Sequence, residues 1–360
     1  MKVAILEYIC GSGILRVQQS SAQAHPWSAL LSEGHAMLSA LARDMLDAGI
    51  DVACPLESSI AAWGQWASWT DTNWSWSPVS FDPQRSIDDV ATLWSASVRD
   101  CDAAIVIAPE LDGALSQIIA RLRDAGLEIL AGDKAFLAAT CDQWNTCQAW
   151  QARNVRHPRT RLLEEFLHND LDPGPSHLWV VKRRDSAGCV GQRRMADTRS
   201  VAREALRCSQ SNSADRWVVQ PWISGQAASL AALVGQEIRV VGAFRQRFET
   251  IVEDGETGWG YSGGVGPIPG ITQPALQRFA SEVLHAIPGK PRGWIGIDFV
   301  IEPDGQWSAI EVNPRLTTSY LGYRQWYGHQ LAGSWARGNP PPREPQDFSQ
   351  VCFSLENFEG

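Results

Sequence analysis

Residues Trp294 to Arg315 read WIGIDFVIEPDGQWSAIEVNPR, and their pattern decides the fold. Ile295, Ile297, Phe299 and Ile301 alternate with Gly296, Asp298 and Val300, the period of a strand. Glu302-Pro303-Asp304-Gly305 supplies a turn, and a second strand begins at Trp307. Pairing Ile301 with Ser308 sets Asp298 directly opposite Glu311, with Asn313 two residues on and therefore on the same face. Facing carboxylates repel across a sheet. A divalent cation removes that repulsion. Two carboxylates and an amide oxygen are hard ligands that suit Mg²⁺, which usually shares them with phosphate oxygens. Arg315 follows Pro314 and carries a planar fork that fits a phosphate or carboxylate. The residues alone leave open an ordinary surface hairpin whose acids face water.

The flanking residues narrow the choice. An acid followed on the next strand by Glu-x-Asn-Pro-Arg resembles the metal-binding hairpin of the ATP-grasp superfamily, and Asp298, Glu311, Asn313 and Arg315 stand where that pattern needs them. The resemblance implies Mg²⁺, with Mn²⁺ as an alternative, on Asp298, Glu311 and Asn313, and ATP as the nucleotide.

Composition sets outer bounds. The 360 residues suffice for two or three domains with proper cores. A hydrophobic content of 44% with 20% charged residues is that of a soluble globular chain. The net charge of -9 argues against nucleic acid, whose phosphates call for a basic face. No apolar run approaches the length of a membrane span. Met1 to Glu7 meets an acid too soon for a signal peptide. Eight cysteines without a CxxC pair fit free thiols in a reducing cytoplasm. Of seventeen tryptophans, Trp63, Trp66, Trp69, Trp74, Trp76 and Trp94 crowd together. Core and loop packing accounts for them better than an aromatic substrate pocket does.

The pattern along the chain is α/β. Lys2–Ile9 reads as a strand ending in a Cys10-Gly11-Ser12-Gly13 loop, and Arg16 stands where a dinucleotide fingerprint needs its third glycine. Ala36, Met37, Ala40, Leu41 and Met45 follow a helical period after Ser32-Glu33-Gly34. Strands at 50–54, 103–108 and 127–130 alternate with helices, which implies a parallel sheet covered on both faces. A Rossmann-like domain is therefore expected over residues 1–130. Residues 131–215 form the expected small part of a two-part α+β unit. Residues 216–360 form its large part, with the hairpin and an irregular C-terminal tail. Glu253–Gly270 reads as a long Gly-rich loop, with Ser262–Pro267 free to close over a substrate.

Val180-Val181-Lys182 places a lysine at a strand end beside the small-residue turn Asp185–Gly191. Such a lysine can meet a phosphate while backbone N–H groups of Ser186, Ala187 and Gly188 cradle another. A solvent-exposed lysine beside a flexible loop is the competing reading. The ATP-grasp order of elements implies that Trp217–Gly225 is the adenine strand. The backbone of Gln220 and Trp222 would then meet the adenine edge, and Ile223 its face. Two positions depart from the family pattern. Gln143 follows Asp142 where a phosphate-binding lysine is usual, with Lys134 nearby as a substitute, and Ala227 stands where relatives keep a ribose-binding acid.

The phrases Glu7-Tyr8-Ile9-Cys10-Gly11-Ser12-Gly13, Glu33–Leu38, Ser262-Gly263-Gly264 and Asn313–Gly322 resemble a narrower branch, the tyramine–glutamate ligases of methanofuran synthesis and their bacterial relatives. That resemblance implies a carboxylate–amine ligase acting through an acyl phosphate. Lys182 and Arg315 would offset the charge of the transferred group, and Arg315 or Arg324 would hold an anionic glutamate. The expected partners are a small carboxylate and an amine, with a second copy of the chain as the one protein partner considered. A nucleotide-binding sensor or scaffold with a degenerate site is the alternative, motivated by Gln143 and Ala227.

Overall fold

The computed structural model describes residues 1–14, 26–61, 66, 69, 72–167, 178–185, 192–210, 213–253, 256–342 and 349–354. The first sheet holds β1 (Lys2–Glu7), β2 (Asp51–Glu57), β3 (Trp74–Val79) and β4 (Ala103–Ile107). All its pairs are parallel, in the order β3-β2-β1-β4. Val3, Ala4, Ile5 and Leu6 are all fully buried, the mark of a strand covered on both faces. The long helix Pro26–Asp47 lies on one side of this sheet. Ile87–Ser97 and Ala114–Asp124 lie on the other.

Four details of the N-terminal half differ from expectation. The Cys10 segment is not a loop: Tyr8–Gly11 forms one helical turn, capped by the Glu7 carboxylate. The helix expected after Gly34 begins at Pro26, so Glu33 sits on it. The Trp-rich stretch contains a strand, β3, because Trp74 and Trp76 alternate with serines along it. Residues 127–130 contribute only a bridge, Ala104 to Ile129. Trp66 stacks on Trp74 at 5.4 Å and tilts against Trp69 at 5.0 Å. Trp94 is also buried and Trp69 and Trp74 pack against the core, whereas Trp76 is exposed. Trp63 lies outside the described residues.

A second sheet holds β5 (Arg161–Leu162), β6 (Trp179–Arg183), β7 (Arg193–Met195) and β8 (Trp217–Pro221), in the order β5-β8-β6-β7 and antiparallel. Because β8 lies between β5 and β6, the break expected at residue 216 falls inside this sheet. The third sheet has six strands: β9 (Gln226–Val234), β10 (Ile238–Glu253), β11 (Glu256–Gly266), β12 (Gly293–Ile301), β13 (Trp307–Asn313) and β14 (Val351–Ser354). Their order is β13-β12-β9-β10-β11-β14, antiparallel throughout.

The expected Gly-rich loop is mostly β11. A Cβ on Gly263 would lie 2.0 Å from the Phe353 carbonyl oxygen, so glycine is what lets β14 dock there, and φ +131° is open to it. One hydrophobic cluster runs from Val3 and Ile5 through Leu38, Leu41 and Met45 to Trp294, Leu331 and Trp335. It welds the first sheet to the third. Asp44 sits at that junction, accepting from Tyr320 Oη at 2.6 Å and from both Arg324 Nε and Nη2 at 2.9 and 2.6 Å.

Candidate active site

The hairpin β12–β13 positions the site. Ile301 pairs with Trp307 and Val300 with Ser308, one residue away from the expected register. A bulge between Asp298 and Phe299 takes up the extra residue, Ile310, and restores Asp298 opposite Glu311, with Gly296 opposite Asn313. Gln143 explains how the bulge is held: its buried Nε2 donates to the Ile310 carbonyl at 2.7 Å. The missing lysine of the family pattern has therefore been replaced by a side chain with a structural partner. Lys134 is exposed in the first turn of Lys134–Thr140 and does not line the cleft.

Asp298 is half-buried and well supplied with donors. Gln246 Nε2 reaches its Oδ1 at 3.0 Å, Asn313 Nδ2 reaches its Oδ2 at 3.2 Å, and Ser229 on β9 also donates. Burial nevertheless raises its carboxyl above the ordinary range. Glu311 has no hydrogen bond among the described residues. Burial pushes its carboxyl up to about 7; Asp298 and Glu110 push the same way, while Lys182 and Arg315 pull down. Lys182 is 2% exposed on β6, and its ammonium has no hydrogen-bond partner among the described residues. A buried cation without hydrogen bonds, close enough to act on two half-buried acids, is costly unless a ligand completes it. Asp298, Glu311 and Asn313 thus fit a hard divalent cation by donor type, by shared face and by the unrelieved charge on Glu311.

Arg315 departs from expectation. It lines the cleft, but Nε and Nη2 both reach Glu110 of the first-sheet half at 3.0 Å, and Nη1 donates to the Leu316 carbonyl. Its fork is already filled by a carboxylate, and Glu110 is 3% exposed. Arg324 is likewise taken by Asp44 and does not line the cleft.

The strand expected to meet adenine differs in detail. The Trp222 N–H donates to the Leu178 carbonyl at 2.9 Å, extending the β6–β8 ladder, so it is not available to a base edge. The next N–H, that of Ile223, has no backbone partner among the described residues. The Gln220 side chain turns inward to Thr160 Oγ1 at 2.8 Å. The Trp222 ring lies 5.4 Å from Trp259, with Arg194 over both rings. Ser186, Ala187 and Gly188 lie outside the described residues.

The cleft has a volume of about 170 Å³. Besides Asp298, Glu311, Asn313 and Arg315, its wall includes Glu33, Gln246, Phe248 and Tyr261, none of them expected from sequence to form part of the site. Gln246 had no local signal: it reaches Asp298 from β10 across β9. Burial pushes the Glu33 carboxyl up to about 7, against a pull downward from Arg315. Among the described residues, no three His, Cys, Asp or Glu side chains form a metal cluster, so an amide oxygen is needed to complete the set. No described helix is long and apolar enough to cross a membrane.

A family model for the ATP-grasp domain matches residues 140–319, half of the 360 residues, and one for the pre ATP-grasp 3 domain matches 66–135. None of the curated proteins matches the sequence. Several solved structures share the fold. A protein of the ATP-grasp superfamily from Archaeoglobus fulgidus is 18% identical, covering 96% of this chain and 90% of that one, with a TM-score of 0.65. The biotin carboxylase domain of Hydrogenobacter thermophilus 2-oxoglutarate carboxylase, solved with MgADP, ADP and bicarbonate, is 11% identical, with coverages of 96% and 71% and a TM-score of 0.64. L-amino acid ligase from Bacillus licheniformis is 14% identical, with coverages of 95% and 77% and a TM-score of 0.59.

Proposed function

The chain belongs to the ATP-grasp family, and from that premise we propose that it is an ATP-dependent ligase joining a carboxylate to an amine. It uses ATP and Mg²⁺. The observation that carries this reading is the face-to-face pair Asp298 and Glu311, with Glu311 lacking a hydrogen bond and buried Lys182 acting on both.

Asp298, Glu311 and Asn313 would hold the Mg²⁺, which would supply neutralisation of the phosphate charge. Lys182 offsets the charge developing on the γ-phosphoryl group as it passes to the substrate carboxylate. Arg315, pinned by Glu110, contributes a fixed positive potential at the cleft wall rather than a free fork. The carboxylate oxygen bonds to the γ-phosphorus as the bond from that phosphorus to ADP breaks. The amine, as its free base, then attacks the acyl carbon: a C–N bond forms, the acyl C–O bond to phosphate breaks, the nitrogen gives a proton to the departing phosphate, and amide, ADP and phosphate leave. No protein nucleophile takes part.

For the substrates we infer glutamate and an aromatic amine such as tyramine, as in methanofuran-type cofactor synthesis. The support is the resemblance along the chain, together with Phe248 and Tyr261 on the cleft wall. The test is to incubate the protein with ATP, Mg²⁺, glutamate and tyramine, tyrosine or phenethylamine, reading the amide by mass spectrometry and ADP in parallel. Amide and ADP in equal amounts are expected. Product from another pair alone would remove the substrate assignment and leave the ligase. No ADP with any pair would favour a nucleotide-binding sensor.

A further inference from the structure

Glu33 is the cleft carboxylate that the ligase chemistry above does not use. It reaches the cleft because Gly34 lets its helix approach the end of β1. A Cβ on Gly34 would lie 2.5 to 2.9 Å from the Glu7 carboxylate atoms. Glu7 is itself fixed there by the Cys10 N–H at 2.6 Å. The side chain of Glu33 lines the same cavity as Asp298 and Glu311, beside Thr317, Thr318 and Ser319. It has no hydrogen bond among the described residues. Arg315 makes no hydrogen bond to it: its bonds run from Nε and Nη2 to Glu110 and from Nη1 to the Leu316 carbonyl, and it acts on Glu33 only through its charge.

The groups on the cleft wall are therefore unequally partnered. Asp298 and Glu311 share a face suited to a divalent cation, and Glu110 holds Arg315 in a two-bond pair. Glu33 lines the cleft with no hydrogen-bond donor of its own among the described residues. A half-buried carboxylate without donors is costly, and a cation in the cavity relieves it. The same wall carries apolar surface: Phe248 is 40% exposed, and Tyr261 packs edge-on to it at 6.2 Å.

We propose that Glu33 binds the ammonium group of the amine substrate, in a subsite that selects primary amines with an apolar or aromatic body. The inference rests on the ligase reading and adds a residue and a selectivity to it. The N-terminal half of the chain thereby supplies one substrate's recognition, while the hairpin supplies the phosphates'. Neutral analogues of the amine should bind poorly, since their hydroxyl does not neutralise the carboxylate.

The experiment separates the two half-reactions. Hydroxylamine, small and mostly uncharged near pH 7.5, intercepts an acyl phosphate without an ammonium site. Wild type, Glu33→Gln and Glu33→Asp are assayed for hydroxamate with ATP, Mg²⁺ and a panel of carboxylates beginning with glutamate. They are then assayed for amide with tyramine, phenethylamine and putrescine, with tyrosol as the neutral competitor of tyramine. Thermal melts confirm folding. In Glu33→Gln, KM for the preferred amine should rise at least tenfold more than KM for hydroxylamine, and the preference for tyramine over tyrosol should fall by a similar factor. Glu33→Asp, which keeps the charge, should lie between the two. An amine KM within threefold of wild type overturns the assignment. So does a parallel loss of hydroxamate and amide, which would place Glu33 with the carboxylate or the fold. Hydroxamate formed by a wild-type enzyme that accepts no amine overturns the amine site alone. Hydroxamate from no carboxylate overturns the ligase reading and this site with it.

Discussion

The hairpin draws Asp298, Glu311 and Asn313 from one turn of chain, whereas Arg315 and Glu110 meet across 205 residues and Glu33 arrives from a third place. In the hairpin, acids that repel are set opposite each other, and their relief must come from a ligand. Across the domains the arrangement is reversed: Glu110 and Arg315 pair through two hydrogen bonds, and what they provide is shape and a fixed field. One wall is built to be completed by a ligand, the other to be complete beforehand. Substitutions on the first should act on turnover, and on the second on stability.

The largest effect is expected at Glu311. Glu311→Gln removes one charge from the proposed metal site, and the rate should fall by roughly a thousandfold or more while the melting temperature holds or rises. A neutral amide suits that position, since burial already pushes the carboxyl up to about 7. ADP release at saturating Mg²⁺ and a thermal melt read both halves. A turnover near wild type would refute the metal assignment.

On the opposite wall, Glu110→Ala strands the Arg315 guanidinium, whose side chain is 13% exposed. Loss of one partner of a buried pair should cost about 3 kcal/mol in urea unfolding. Combining it with Arg315→Met should recover much of that cost, because no unpaired charge remains. Additive losses would show that the two are not coupled.

Lys182→Ala tests the hairpin side again. One charge-assisted phosphate contact is worth about 1.5–3 kcal/mol, so KM for ATP should rise about tenfold or more, with a lower rate. Unchanged ATP affinity by calorimetry would reduce Lys182 to a partner of the two acids.

Glu7 gives a pH signature for the first-domain wall. Burial raises its carboxyl from 4.5 to about 6. Between those values the native chain holds a proton that the unfolded chain has lost, so stability falls as pH rises through that window. The full shift corresponds to about 2 kcal/mol. Glu7→Gln can still accept from Cys10 and should remove this fall, gaining stability at pH 8 but little at pH 4.5. Parallel stability–pH curves for the two proteins would contradict the cause given.

These sites differ in how far they could be read from the chain. Period two and a four-residue turn placed Asp298 opposite Glu311, because strand alternation and turn chemistry are local. The bulge at Ile310 was invisible, since it depends on a carbonyl held by Gln143 from another element. Arg315 was read as a phosphate ligand because its fork suits one; nothing near it in sequence announced Glu110. The glycines of Ser262-Gly263-Gly264 suggested a mobile loop, yet Gly263 is required by the close docking of Phe353, which no local pattern encodes. Trp222 was read as meeting the adenine edge, yet its N–H is taken by the Leu178 carbonyl, because which N–H a strand leaves open depends on where its neighbour ends.

The smallest effect ties the two walls' logic together at Gln143. Its amide is a satisfied, buried group, like Glu110, but what it holds is the hairpin. Gln143→Ala leaves the Ile310 carbonyl without its 2.7 Å donor, at a cost of about 1 kcal/mol. The consequence for the site is larger than the energy suggests. A strand that slips by one residue turns its side chains to the opposite face, and the bulge is what keeps Glu311 facing Asp298. The Mg²⁺ concentration for half-maximal rate should therefore rise several-fold in Gln143→Ala, with ATP affinity at saturating Mg²⁺ little changed. Gln143→Lys keeps a donor for Ile310 and should preserve the Mg²⁺ response. It should also tighten ATP binding or leave it unaltered, since it supplies the lysine of the family pattern. Weaker ATP binding in that variant, with the Mg²⁺ response intact, would show that the phosphates do not pass near this position.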